Sequence, residues 1–232
     1  MSNVLAIIPA RAGSKGVPGK NKIKLNGKTL TEHAYNVAKN SKHVNEIILS
    51  TDDQEIIKSF NDKDVILHKR DEFLSSDTSP IIDSIIHILE NIPKNKYDFV
   101  LLLQPTSPIR TSSDVDLCIE ELKKHDNVNS IISVCKMDDV HPGRMYYKSK
   151  QNKLRSVLED FEETRRQDNE PVYFRNGSIY LTRVECILNQ KSMMSKPISP
   201  YVMDGEYLLN IDSPRDKLIA EYIFNYWIKS LK

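Results

Sequence analysis

Between residues 4 and 28 an apolar run, VLAIIP, breaks into glycines and cations in ARAGSKGVPGKNKIKLNGK. Gly13, Gly16 and Gly19 let a backbone approach an anion closely, and Arg11 and Lys20 can neutralise a polyphosphate from two sides. Two phosphate motifs fail on spacing. The Walker loop requires a glycine, four further residues and then Gly-Lys-Ser/Thr, but Ser14 stands at the glycine position and Asn21 at the hydroxyl position. A dinucleotide fingerprint requires G-x-G-x-x-G running into a helix, and here Pro18 and several lysines follow. The loop reads either as an anion-binding strand exit or as a solvated basic turn.

Further along, Arg70 in HKRDEF is a cation able to meet a ligand or to pair on the surface with Asp71 or Glu72. In LLLQPTSPIRT (101–111) an apolar run ends abruptly in a proline-bounded turn, delivering Gln104, Thr106 and Ser107 to a strand end. The same stretch can serve as a turn and helix cap, with Ser112 or Ser113 starting the next helix. Asp212 sits at a strand-to-helix junction, where a single aspartate is more often a cap; Asp216 reads as first-turn helix charge. His33, His43, His68, His87, His125 and His141 show no zinc spacing.

Short apolar runs at 4–9, 46–51, 64–69, 99–105 and 130–135 must position these groups. They alternate with helix-period segments at 30–41 and 79–92, the second aligning Ile81, Ile82, Ile85, Ile86 and Leu89. The pattern predicts an α/β fold, a mostly parallel sheet flanked by helices on right-handed crossovers. It falters after Cys135, so residues 136–175 read as an insertion projecting from the sheet. A strand at 177–183 follows. A closing helix over 213–232, begun by Ser213 and Pro214, shows Ile219, Tyr222, Ile223, Tyr226 and Trp227 on one face. A single domain over 1–232 is expected.

With 39% hydrophobic and 28% charged residues, the composition is that of a globular domain with a real core. A net charge of +1 with scattered basic residues offers no face for nucleic acid or an acidic membrane, so any anionic partner is small. Cys118, Cys135 and Cys186 are far apart and odd in number, which predicts reduced thiols. Neither an export signal nor an 18-residue apolar run is indicated, and a cytoplasmic location is expected.

The stretch IPARAGSKGVPGKN resembles the signature of the CMP-sialic acid synthetase (acylneuraminate or nonulosonate cytidylyltransferase) family, A-R-x-x-S-K-G-x-P-x-K-N. The likeness continues in that family's order through STDD, HKRDEFLSSDTSP (68–80), LLLQPTSPIRT, RRQ (165–167), NGSIY (176–180) and NIDSPRD (210–216). It implies a three-layer Rossmann-like nucleotidyltransferase fold. It also implies a reaction in which the anomeric hydroxyl of a nine-carbon 2-keto sugar acid attacks the α-phosphate of CTP and pyrophosphate leaves.

On this resemblance Ala10, Arg11, Gly13, Ser14 and Lys20 surround the triphosphate, with Arg11 and Lys20 offsetting its charge. Asn21 and Arg70 face cytosine, whose O2 and N3 acceptors they can satisfy and which the N3–H of uracil would disturb. Gln104, Thr106 and Ser107 hold the acceptor and orient its hydroxyl, so Arg11, Lys20 and Gln104 carry the catalysis. Arg144, Arg166, Gln167 and Asn176 belong to the sugar-acid side, the arginines facing its carboxylate.

Two departures stand out. The family's D-x-D segment for Mg²⁺ is Asn210-Ile211-Asp212, and an amide oxygen beside Asp212 carries no charge, which weakens the grip on the ion. Phe174 occupies a position where relatives carry an arginine, and Arg175 directly precedes Asn176, altering the acceptor pocket. The resemblance further implies that 136–175 is a dimerisation arm closing a neighbouring subunit's sugar site, hence a homodimer. An eight-carbon KDO cytidylyltransferase and a non-catalytic CTP-binding module are the alternatives. The identity of the nonulosonic acid is left open.

Overall fold

The computed structural model describes residues 2–13, 16–76, 79–137, 140–158 and 170–231. Strand β1 (Val4–Pro9) is buried along all but its last residue, as a strand covered on both faces must be. The loop after it ends in a 3₁₀ turn at Lys20–Lys22 and a short hairpin of β2 (Lys24–Leu25) and β3 (Lys28–Thr29). Helix α1 (Leu30–Asn40) follows, started by a capping box between Thr29 and Glu32.

Next come β4 (Glu46–Thr51), α2 (Gln54–Phe60), β5 (Ile66–Lys69), α3 (Glu72–Ser75), α4 (Ile81–Glu90) and β6 (Phe99–Leu102). The chain continues through α5 (Ser112–Lys124), β7 (Ser130–Met137), a hairpin of β8 (Tyr146–Lys148) and β9 (Leu154–Ser156), and β10 (Val172–Arg183). It closes with α6 (Val184–Gln190), β11 (Ile198–Met203) and α7 (Pro214–Ser230).

Seven strands form the main sheet in the order β11-β7-β10-β6-β1-β4-β5. β1 lies parallel to both β4 and β6, β4 is parallel to β5, and β7 is parallel to β11. β10 runs against both of its neighbours, β6 and β7. Helices α1, α2 and α5 cover one face through Ala34, Phe60, Val115 and Ile119, and α4 and α6 cover the other through Ile85, Ile88 and Ile187. This is the three-layer, mostly parallel α/β arrangement expected from the run pattern.

Several elements differ from the sequence reading. The apolar run 99–105 leaves the ladder after Leu102, because Gln104 and Pro105 begin a turn. Helix α5 does begin at Ser112, and its cap is Thr111, whose hydroxyl accepts from the Asp114 backbone N–H. β11 escaped notice because Ser199 and Pro200 interrupt its apolar pattern. Residues 136–137 and 172–175 continue β7 and β10 as paired strands, so the sheet itself extends into the 136–175 segment and carries the β8–β9 hairpin.

The packing face of α7 also requires correction. Ala220 and Phe224 are buried, with Ile223, Trp227 and Ile228 against the same cluster, whereas Tyr222 is 77% exposed. From Ala220 the 3.6-residue period lands on residues 223, 224, 227 and 228, while 222 and 226 fall on the far side. Tyr226 instead donates its hydroxyl to Glu206 at 3.0 Å. The helix sits on Leu25, Leu30, Ile109, Leu209 and Ile211, which ties the end of the chain to the segment after β1.

Leu101 lies at the centre of β6, fully buried between β1 and β10. Leu101→Ala is expected to lower unfolding stability by about 2–5 kcal/mol, read from the midpoint of urea denaturation at an unchanged slope.

Candidate active site

Because β1, β4, β5 and β6 point the same way, their carboxyl ends deliver Arg11, Asp52, Arg70 and Gln104 to one edge. From β1 the chain moves to β4 and β5 on one side and returns to β6 on the other, leaving a crevice at that reversal. The crevice is a cleft of about 160 Å³ lined by Arg11, Lys20, Asn21, Arg70, Gln104 and Thr106, with Ser79 and Ile81 at its side. A roomier hollow of about 670 Å³ around Ile92, Tyr97 and Val184 lies at the opposite edge, and none of the candidate site residues lines it.

The floor is fixed by backbone bonds. Ala10 N–H donates to Ser50 O at 2.9 Å, and the Thr51 hydroxyl donates to Ala10 O at 2.5 Å. Asp52 accepts the Ala12 N–H at 2.7 Å. Asn21 is buried and donates its side-chain amide to Arg11 O at 3.0 Å, while its backbone carbonyl accepts from the Thr31 hydroxyl at 2.9 Å. Arg11 Nη1 reaches Ser76 O at 3.1 Å. Gly13 stands on the exposed part of the loop.

Arg70 is 7% exposed, and burial pushes its guanidinium down to about 10, with Asp52 opposing that shift and Arg11 adding to it. It stays cationic at neutral pH. Its Nε donates to Ser50 Oγ at 2.8 Å, its buried Nη2 has no partner, and the residue lines the cleft. A buried donor without an acceptor is costly, on the order of 1–3 kcal/mol.

The facing wall is held by a residue the sequence reading passed over. Arg110 is 2% exposed, and its Nη1 donates to the carbonyls of Gln104, Ser107 and Ser178 at 2.6–2.9 Å. Burial pushes this guanidinium down to about 9. The signal was present in the motif, since a single cation closes an otherwise uncharged, proline-bounded turn. Gly177, at φ +79°, completes the wall: a Cβ there would stand 2.7 Å from Ser107 Oγ and 3.1 Å from Gln104 Oε1.

At the mouth, Ser107 Oγ donates to Asn210 Oδ1 at 3.0 Å, and Asn210 Nδ2 donates to Asp212 Oδ2 at 2.5 Å. The other Asp212 oxygen pairs with Lys20 Nζ at 2.6 Å. A Cβ on Gly16 would lie 2.2 Å from Asp212 O, so the close approach that glycine permits here is to the chain's own backbone. Ser213 caps α7, and Asp216 is the expected acid of its first turn, completing a capping box with Ser213.

Other residues singled out lie elsewhere. Arg144 is exposed on a 3₁₀ turn after β7 and does not line the cleft. Asn176 turns its amide inward, accepting from Ser133 and Ser178 and approaching Cys135 and Met203. Ser14, Arg165, Arg166 and Gln167 fall outside the described residues.

A sequence profile described as Cytidylyltransferase matches residues 5–221. The chain belongs to the cytidylyltransferase family. This cytidylyltransferase is 34% identical, over 94% of both chains, to the CMP-N,N'-diacetyllegionaminic acid synthase of Legionella pneumophila. It is 31% identical to the N-acylneuraminate cytidylyltransferase of Streptococcus agalactiae over 97% of its own residues, and spans 54% of that relative. The solved structure of a CMP:2-keto-3-deoxy-manno-octonic acid synthetase complexed with CTP matches with a TM-score of 0.73 at 16% identity, covering 97% of this chain and 99% of that one. At that identity the likeness is one of fold. Among the described residues of this cytidylyltransferase, no helix is long and apolar enough to cross a membrane.

Gly177→Ala forces a side chain into the positive-φ position facing Ser107. A loss of about 1–3 kcal/mol in unfolding free energy is expected, together with a distorted Gln104–Ser107 turn, checked by urea denaturation and by the amide NMR shifts of that turn.

Proposed function

We propose that this cytidylyltransferase transfers CMP from CTP to the anomeric hydroxyl of a nonulosonic acid, a nine-carbon 2-keto sugar acid, releasing pyrophosphate. The observation that carries this reading is Arg70, a buried cation with a donor still to be satisfied, beside Asn21 and across the cleft from Gln104. Base reading, phosphate charge and acceptor wall then meet in one crevice.

In this reading the Arg70 guanidinium and Asn21 take the acceptor edge of cytosine. Arg11 and Lys20 stand where the triphosphate enters and offset charge on the transferring and leaving groups. A phosphate oxygen would compete with Asp212 for Lys20 Nζ. Gln104 orients the attacking hydroxyl, on a turn whose position Arg110 fixes. Phosphoryl transfer of this kind is mostly positioning and charge neutralisation.

Mg²⁺ is the cofactor proposed. Asp212 offers a half-exposed carboxylate and Asn210 an amide oxygen at the mouth of the cleft, a donor set that suits an ion sharing its coordination with triphosphate oxygens. Bound there, it would supply positive charge against the phosphates. Among the described residues no group of three or more His, Cys, Asp or Glu side chains could hold a metal unaided.

A homodimer is proposed for the β8–β9 arm, where Tyr146, Tyr147 and Leu154 are each more than half exposed and have too little of their own chain to cover them. Arg144 lies at the base of that arm, and Arg166 and Gln167 follow in the same segment. A cytoplasmic location follows from the proposed use of CTP.

A panel of nonulosonic acids and KDO, each incubated with CTP and Mg²⁺, is expected to release pyrophosphate with at least one nine-carbon acid and not with KDO; release with KDO alone would overturn the acceptor assignment. Arg11→Ala is expected to lower kcat/KM roughly a hundredfold or more; full turnover would remove it from the triphosphate. Asn210→Asp is expected to reduce the Mg²⁺ concentration needed for half-maximal rate, measured by titrating the ion at fixed CTP. Light scattering is expected to give a dimer at micromolar concentration.

A further inference from the structure

The functional reading makes Arg70 the group that reads the base, and the fold shows what holds Arg70. Ser50 on β4 is fully buried, and its Oγ accepts Arg70 Nε–H at 2.8 Å while lying 3.0 Å from His68 Nδ1 on β5. A guanidinium Nε–H can only donate, which leaves the Ser50 proton for another partner, and when His68 is the neutral Nε2–H tautomer its Nδ1 accepts that proton. The His68 proton then sits on Nε2, which is 3.3 Å from His87 Nδ1 on α4. Phe73 of α3 stands edge-on to the His87 ring at 6.2 Å. With His68 in that tautomer and His87 Nδ1 unprotonated, donation runs one way, from Arg70 through Ser50 and His68 to His87.

We infer that Ser50 and neutral His68 are positioning residues for Arg70, their hydrogen-bond chain fixing the guanidinium where the residue lines the cleft, for the acceptor edge of cytosine. The inference rests on the functional reading above and deepens it. It adds a pH dependence, because an imidazolium at His68 donates from Nδ1: Ser50 Oγ then faces two donors, and a second cation stands beside Arg70. His68 is faced by Arg70 and Asp71 along its own strand exit and by His87 from α4, and Arg70 in turn faces Asp52 and Arg11. Burial, His87 and Arg70 all disfavour the charged ring and outweigh Asp71, holding the His68 pKa below its ordinary 6.5. Neutral His68 is thus the form above that value, and the chain breaks as pH falls through the lowered pKa.

The test is calorimetric titration of the full chain with CTP and with UTP, from about pH 8 down to about pH 5.5, in wild type, His68→Leu, His68→Asn and Ser50→Ala. His68→Leu and Ser50→Ala are expected to bind CTP roughly tenfold more weakly at the upper pH, to discriminate less between CTP and UTP, and to keep kcat at saturating CTP. His68→Asn offers an acceptor near the Nδ1 position but does not titrate. It is expected to retain wild-type affinity at the upper pH and to lose the part of the acid weakening that exceeds CTP's own phosphate titration. Unchanged CTP affinity and selectivity in His68→Leu, or matching pH curves for wild type and His68→Asn, would overturn the inference while leaving the functional reading intact. A wild-type chain that binds no CTP at any pH overturns both.

Discussion

Parallel pairing of β1 with β4 on one side and with β6 on the other is the constraint on which the cleft depends. A parallel ladder sends every strand's carboxyl end to the same edge, so residues distant in sequence emerge side by side without any loop having to search for its partner. Pro9, Asp52, Arg70 and Gln104 are neighbours for that reason. The antiparallel β10 adds a different contribution: running the other way, it brings the irregular stretch at Asn176 and Gly177 to that edge from its own early half, opposite the exit of β6. One reversed strand thus provides a wall that a purely parallel sheet would have needed another loop to build.

The charges at the cleft are held in an uneven way. Arg70 and Arg110 are both out of water, and their hydrogen bonds go to a serine oxygen and to backbone carbonyls. Carbonyl dipoles orient a guanidinium without cancelling its charge, so the local field stays positive and the anion is not competing with a permanent carboxylate. Lys20 is the contrast, partly exposed and paired to Asp212. The buried cations set the field, and the exposed one can exchange partners at low cost.

Much of this was legible in the residues. Repeating Val and Ile runs between helix-period segments give the layered fold, because a strand buried on both faces has few other compositions available to it. The loop after β1 and the Gln104 turn stood out because polar residues interrupt apolar runs abruptly. What could not be read was which partner each polar group takes. Gly16 looked like an allowance for an anion and proved to be an allowance for Asp212 O. Asn176 sits in an extended strand whose register shifts between Arg175 and Tyr180, and that irregularity decides that its amide faces Ser133. Tyr222 and Tyr226 fitted a helical stripe by hydrophobicity alone, but a small residue, Ala220, marks where α7 makes its closest approach. Ser50 and His68 each begin a stretch that resembles the family, but only the pairing of β4 with β5 places them together beside Arg70.

The contact between Lys20 and Asp212 joins residues 192 positions apart, and Gly16 abuts the same aspartate's backbone. During synthesis the glycine loop is therefore finished long before the surface that braces it exists, and the cleft is among the last parts of the molecule to take shape. A nascent chain that has made its first four strands owns a sheet but no competent pocket. In the mature protein the same dependence runs in reverse: fraying of α7 from Phe224 and Leu209 would slacken the loop at the far end of the sequence while the central ladder stays closed.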